Sequence, residues 1–195
     1  MSTEVSQRQF RIGVFGGAFV IDSKLAEELA REIGRSIVKR GHIVMTGATS
    51  GLPHIAGKAA LEAGGVVLGV SPARDAAEHT GRYKKPLNGC SYIFYTGQGY
   101  TGRNYLNLRN CDMGVFIGGE AGTLEEYCVG IYEGLVLGAL TNSGGICEML
   151  PQIVKKFRTE HGGAFCFATD PEKLLDDMIE AHLAKPPKVD WTTGG

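Results

Sequence analysis

The sequence predicts an α/β chain, a three-layer Rossmann-like fold whose mainly parallel sheet is flanked by helices on both faces. Three observations predict it. Short runs rich in β-branched and aromatic residues alternate with helical patterns along most of the length. Glycines gather where the apolar runs stop. Glycine is also abundant, 29 of 195 residues, about twice the average usage of roughly 7%, with no repeating period, so the excess belongs to turns.

Residues 10–15 read as a first strand that stops at Gly16-Gly17, and Asp22 and Ser23 supply caps for a helix over 24–39. In that helix Leu25, Leu29, Ile33 and Ile37 recur every four residues. Gly41 ends it, 42–46 is a strand, 47–52 a loop, and Pro53 opens the next helix as its first residue. A strand at 66–70 leads into a polar, irregular stretch over 71–88. Then come a strand at 91–95, a short helix at 103–110, a strand at 113–117, a helix at 123–134 and a strand at 135–140. A helix over 146–157, a strand at 164–168 and a helix over 171–183 complete the pattern. Strands separated by helices form βαβ units, and ligands of such sheets gather at the carboxyl ends of the strands. Residues 1–184 read as a single domain, and the Pro-, Thr- and Gly-rich residues 185–195 as a flexible tail.

Composition narrows the function. Twenty basic residues nearly cancel 21 acidic ones and no long run of like charge occurs, so no nucleic acid partner is expected. No apolar run is long enough to span a bilayer and residues 1–11 contain no apolar signal region, so no membrane is expected and the cytoplasm is the expected compartment. The five cysteines are odd in number and contain no C-x-x-C pair, which reads as small buried residues in reducing surroundings. The five histidines contain no H-E-x-x-H pair, and neither a metal nor a resident cofactor is expected.

The chemistry concentrates after the strand Met113-Gly114-Val115-Phe116-Ile117, which runs into Gly118-Gly119-Glu120-Ala121-Gly122-Thr123 and a helix. Amides at a helix start, approached through glycines, attract phosphate because the N–H groups and the helix dipole both favour an anion. The same residues also suit a tight turn with Thr123 as N-cap and Glu126 as its capping-box partner.

Several further segments occur in order: Gly13-Val14-Phe15-Gly16-Gly17, Thr46-Gly47-Ala48-Thr49-Ser50-Gly51-Leu52, Gly64-Gly65-Val66-Val67-Leu68-Gly69-Val70, and Arg103 nine residues before Asp112. Together with 118–126 they resemble the LONELY GUY family and its relatives, often labelled "lysine decarboxylase-like", over about 10–181. That family carries P-G-G-x-G-T-x-x-E, and its enzymes release the base from nucleoside 5′-monophosphates. The resemblance implies Arg103 and Glu126 as the catalytic pair, Glu126 stabilising charge at the anomeric carbon or orienting water, and Arg103 holding the nucleotide and keeping Glu126 ionised. It implies a nucleotide or phosphorylated cofactor held by Gly16, Gly17, Gly47, Thr49, Ser50, Gly118, Gly119, Glu120, Gly122 and Thr123, and a homodimer or larger homo-oligomer. Arg109 stands at the family's second arginine and equally suits a structural ion pair.

Two residues depart from the motif. Gly118 replaces its proline, and Glu120 stands at its second glycine, placing a carboxylate in a loop expected to receive phosphate. Similar substitutions occur in branches that only bind nucleotides, including the molybdenum-cofactor carrier proteins, so a non-catalytic carrier is the alternative reading. No lysine stands in a Schiff-base setting, which argues against pyridoxal phosphate chemistry. Gly97-Gln98-Gly99-Tyr100-Thr101-Gly102 is a literal G-x-G-x-x-G, the pattern of a dinucleotide site, although such fingerprints usually occupy the first βα turn. Tyr95, Tyr100 and Tyr105 are candidates to stack on a base or to pack in the core, and His54 is the histidine nearest the expected site.

Overall fold

The computed structural model describes residues 9–18, 23–157 and 163–184. Asp22, His161 and the expected tail at 185–195 lie outside the described residues. Seven parallel strands form one sheet: β1 (Arg11–Gly16), β2 (Ile43–Thr46), β3 (Val67–Ser71), β4 (Tyr92–Tyr95), β5 (Met113–Ile117), β6 (Val136–Leu140) and β7 (Ala164–Ala168). Their order is β4-β3-β2-β1-β5-β6-β7. The chain winds outward from β1 to β4 and then returns to β1's other side, so the topological switch lies between β1 and β5, in register Val14 opposite Val115. A crevice opens beyond the strand ends at such a point.

Both sheet faces are covered, as the apolar runs of the central strands require. Ile12, Val14, Val115 and Ile117 face one layer, made by α1 (Lys24–Lys39), α2 (Leu52–Glu62) and α7 (Pro171–Leu183). Phe15, Phe116, Leu137 and Ala139 face the other, made by α4 (Gly99–Arg109), α5 (Ala121–Tyr132) and α6 (Leu150–Val154). In α1 the buried stripe is Ala26, Leu29, Ala30, Ile33 and Ile37, while Leu25 is 52% exposed, so the seam turns one residue from the four-residue spacing. Ser23 caps α1 by accepting from the Ala26 N–H at 3.2 Å. Gly34 lets α1 and α2 touch, because a Cβ there would overlap the Ala56 carbonyl.

Three elements differ from the sequence reading. The stretch 71–88 contains α3 (Ala76–Gly81), whose N-cap Asp75 accepts from Glu78 N–H at 2.8 Å. The spacing Asp75-x-x-Glu78 is a capping signal. Helix α4 begins a turn early because Gly97 and Gly99 donate their N–H groups to the Ala73 and Pro72 carbonyls, docking the loop against the end of β3. The run 146–157 divides into a 3-10 turn, Gly145–Glu148, and the short α6, in which Pro151 lacks an N–H for a continuous helix. Among the described residues no helix is long and apolar enough to cross a membrane.

Candidate functional site

The site is built from the backbone at the switch. At the end of β1, Gly16 lies so close to β5 that a Cβ would overlap the Ile117 carbonyl. Gly17 donates to that carbonyl at 3.3 Å and accepts from Leu52 N–H at 2.8 Å, tying the first turn to the start of α2. After β5, Gly118 and Gly119 both take left-handed backbone conformations, φ 57° and 82°, and turn the chain sharply. The segment behind holds this turn: Ser143 Oγ accepts from Gly118 N–H at 2.7 Å, and the Gly119 carbonyl accepts from Ile146 N–H at 2.8 Å. Helix α5 therefore starts at Ala121, with Glu120 as its N-cap residue and no side chain capping it among the described residues. Thr123 lies inside the first turn, and Glu126 lies a turn further on, so the capping-box arrangement is not formed. The amides of Ala121, Gly122 and Thr123 have no acceptor one turn back, which is the property of a helix start that receives an anion.

A cleft of about 420 Å³ opens on this turn. Onto it the fold brings Gly16, Gly17, Gly47, Thr49, Arg103, Gly119, Glu120, Gly122, Thr123 and Glu126. Two of the residues expected to hold the ligand do not line it. The Gly118 N–H is committed to Ser143, and Ser50 Oγ donates to the Ala18 carbonyl at 2.9 Å.

At the cleft wall Arg103 Nη1 stands 3.8 Å from Glu126 Oε1, and the two residues are only 5% and 8% exposed. Arg103 is thus no surface helix residue. It is seated by Gly47, where a Cβ would occupy the guanidinium's place. Its buried Nε has no hydrogen-bond partner among the described residues. An ion pair at this separation is worth about 4 kcal/mol at an effective dielectric of 20, whereas removing each ion from water costs several kcal/mol. Burial wins for the carboxyl: Glu126 is pushed up to about 7, against the attraction of Arg103 and with a further push from Glu125. Arg103 pulls Glu126 toward its ionised form in the expected direction, and burial outweighs that pull. Glu126 sits near neutrality, where a carboxyl can both take and give a proton. Burial also lowers Arg103, opposed by Glu126, Tyr100 and Glu125.

Lys85 and Asn104 line the cleft although no motif or period in the sequence marks them. Of the three tyrosines considered for stacking, Tyr100 reaches it. Tyr95 instead packs edge-on against His79, and Tyr105 accepts from Arg109 on the outer face. Glu125 is half-buried and accepts from Asn104 Nδ2 at 3.4 Å. Arg109 is exposed and lies 3.9 Å from Glu133. His54 lines a separate groove with Arg31, Lys58 and Glu62. The G-x-G-x-x-G loop follows edge strand β4, spends the amides of Gly97 and Gly99 on the backbone of 72–73, and contributes Tyr100 to the cleft. Among the described residues no three His, Cys, Asp or Glu side chains are grouped as a metal site.

Comparison with known proteins agrees with this architecture. An uncharacterized protein of Archaeoglobus fulgidus is 26% identical over 125 residues, 64% of this chain and 75% of its own. Among solved structures, the structural-genomics target TM1055 superposes with a TM-score of 0.75 at 26% identity, over 88% of this chain and 99% of that one. The molybdenum cofactor carrier protein of Chlamydomonas reinhardtii gives a TM-score of 0.71 at 25% identity, over 91% and 100% of the two chains. The model of the SLOG cluster4 family matches residues 9–175, from the first strand through the start of α7. On that match, spanning the whole sheet and the switch-point cleft, the chain belongs to the SLOG cluster4 family.

Proposed function

We propose that the cleft binds a phosphorylated, nucleotide-like small molecule at the start of α5 and that Arg103 and Glu126 hydrolyse its N-glycosidic bond, as the resemblance to the LONELY GUY phosphoribohydrolases implies. The observation that carries this reading is the buried Arg103–Glu126 pair opening onto the same cleft as the uncapped first turn of α5. Phosphate accepts from the amides of Ala121, Gly122 and Thr123, while Thr123, 4% exposed and packed on Gly119, keeps the turn rigid. In the ionised form Glu126 faces the anomeric carbon and takes a proton from the attacking water as the C–N electron pair leaves with the base. The departing base nitrogen gains a proton from solvent, and the products are free base and ribose phosphate. Arg103 anchors the sugar-phosphate and holds the carboxylate in place. Tyr100, 6.0 Å from the Arg103 guanidinium carbon by its ring centroid, offers a face on which the base stacks.

Glu120 at the head of α5 favours a second reading, a binder that turns nothing over, since its carboxylate adds negative charge where phosphate is received. The likeness to a protein named for carrying the molybdenum cofactor supports it. Incubation with purine nucleoside monophosphates, followed by chromatography of the free base, separates the two. Base release abolished by Glu126→Gln is the expected result. Release unchanged by that substitution, or none from any monophosphate, refutes hydrolysis, and native mass spectrometry of freshly purified protein then shows whether a phosphorylated ligand is retained.

A further inference from the structure

The polar stretch between β3 and β4 delivers a lysine to the cleft. Lys84 holds a left-handed backbone conformation, φ 52°, which is costly for a bulky residue and persists only where surrounding contacts enforce it. His79 supplies those contacts. It is fully buried, its carbonyl accepts from the Lys85 N–H at 3.0 Å, and its Nε2 donates to the Pro86 carbonyl at 3.2 Å. Its Nδ1 lies 2.8 Å from Ser71 Oγ, and this hydrogen bond anchors the turn to the end of β3. From this clamp the Lys85 side chain reaches the cleft and donates to Ser50 Oγ at 3.1 Å.

Lys85 and Arg103 therefore grip the same loop from two directions. Arg103 lies on Gly47, Lys85 bonds Ser50, and Thr49 between them faces the cleft. The loop follows β2, whereas α5 follows β5, and β1 separates these strands. With neighbouring strands about 4.8 Å apart, the two strand ends are about 10 Å from one another.

We propose that Lys85, Thr49 and Arg103 form a second anion-binding position in the cleft, so that the ligand carries two separated anionic groups, as a bisphosphorylated nucleoside does. The proposal rests on the reading that a phosphorylated ligand occupies the cleft. Lys85 is lowered first by burial and further by Arg103. The groups facing this corner include the Glu125 and Glu126 carboxyls, which act on Arg103 from the α5 side.

Titration calorimetry with AMP and with adenosine 3′,5′-bisphosphate, on the wild type and on Lys85→Gln, tests the assignment. The wild type should bind the bisphosphate about tenfold more tightly than AMP, the worth of one charge-assisted contact, and Lys85→Gln should erase that advantage while changing AMP affinity less than twofold. An equal loss for both ligands overturns the second position, because Lys85 would then serve the same phosphate as α5. No loss for either also overturns it. If the wild type binds neither nucleotide, the nucleotide-binding reading fails, and the position is tested alone with inorganic pyrophosphate on protein whose lysines are reductively 13C-methylated. Movement of the resonance that Lys85→Gln removes supports the position, and a resonance that stays in place overturns it.

Discussion

Replacing Glu126 by glutamine tests which force governs the buried pair. The carboxyl rises from its ordinary 4.5 to about 7, chiefly through burial. At about 1.4 kcal/mol per pH unit, its ionisation in the folded protein costs about 3 kcal/mol more than in the unfolded chain. A raised carboxyl contributes stability that is fully present below pH 4.5 and is lost as pH rises through about 7. Glutamine does not titrate, and it stands beside Arg103 much as the protonated acid does. The stability of Glu126→Gln relative to wild type should therefore grow by about 3 kcal/mol between pH 4.5 and pH 8, most of it below pH 7. His42 and His54, both lowered mainly by burial, are common to both proteins and cancel in the difference. Urea unfolding of the two proteins at constant ionic strength, in steps from pH 4.5 to 8, measures it. A flat difference would show the carboxyl unshifted. A difference that shrinks with rising pH would show Arg103 outweighing burial, and desolvation would not be the force that sets the proton on Glu126. The same ionisation should appear in turnover, with base release increasing through about pH 7 as Glu126 becomes the proton acceptor.

Two further substitutions probe how the site is assembled. Gly47→Ala places a methyl where the Arg103 guanidinium lies, so AMP binding and base release should fall to the level of Arg103→Ala, with a stability cost of about 2 kcal/mol. Retention of wild-type activity would show that the arginine does not need this seat. Glu120→Gly removes the carboxylate from the head of α5 and should tighten AMP binding severalfold, in line with the roughly 1 kcal/mol of a charge at a helix end. In calorimetry the gain should diminish at high salt, and an unchanged affinity would mean that Glu120 does not oppose the phosphate.

Most of the scaffold is legible in the sequence because its signals are local and periodic. The apolar runs of β1, β5 and β6 and most of the stripe of α1 record burial, and glycine clusters mark the ends of β1 and β5. The cap of α3, Asp75 with Glu78, is also a local signal, but at six residues the helix is too short to show a period, and its stretch reads as irregular. The division at Pro151 depends on the same reasoning, since one missing donor matters more in a short helix than the apolar pattern around it.

Local pattern was enough for the layer architecture and the glycine turn after β5, and the family resemblance for the choice of Arg103 and Glu126 as residues to watch. It could not say which glycines serve a ligand and which serve a neighbour: Gly118 bonds Ser143 and Gly47 makes room for Arg103, contacts across 25 and 56 positions of chain. Nor could it place Lys85, which reaches the cleft only because buried His79 clamps the backbone around it. The ionisation of Glu126 was likewise decided in three dimensions. The family resemblance implies that a cation is near the carboxyl, but only the packed structure removes the water, and burial outweighs the attraction of Arg103.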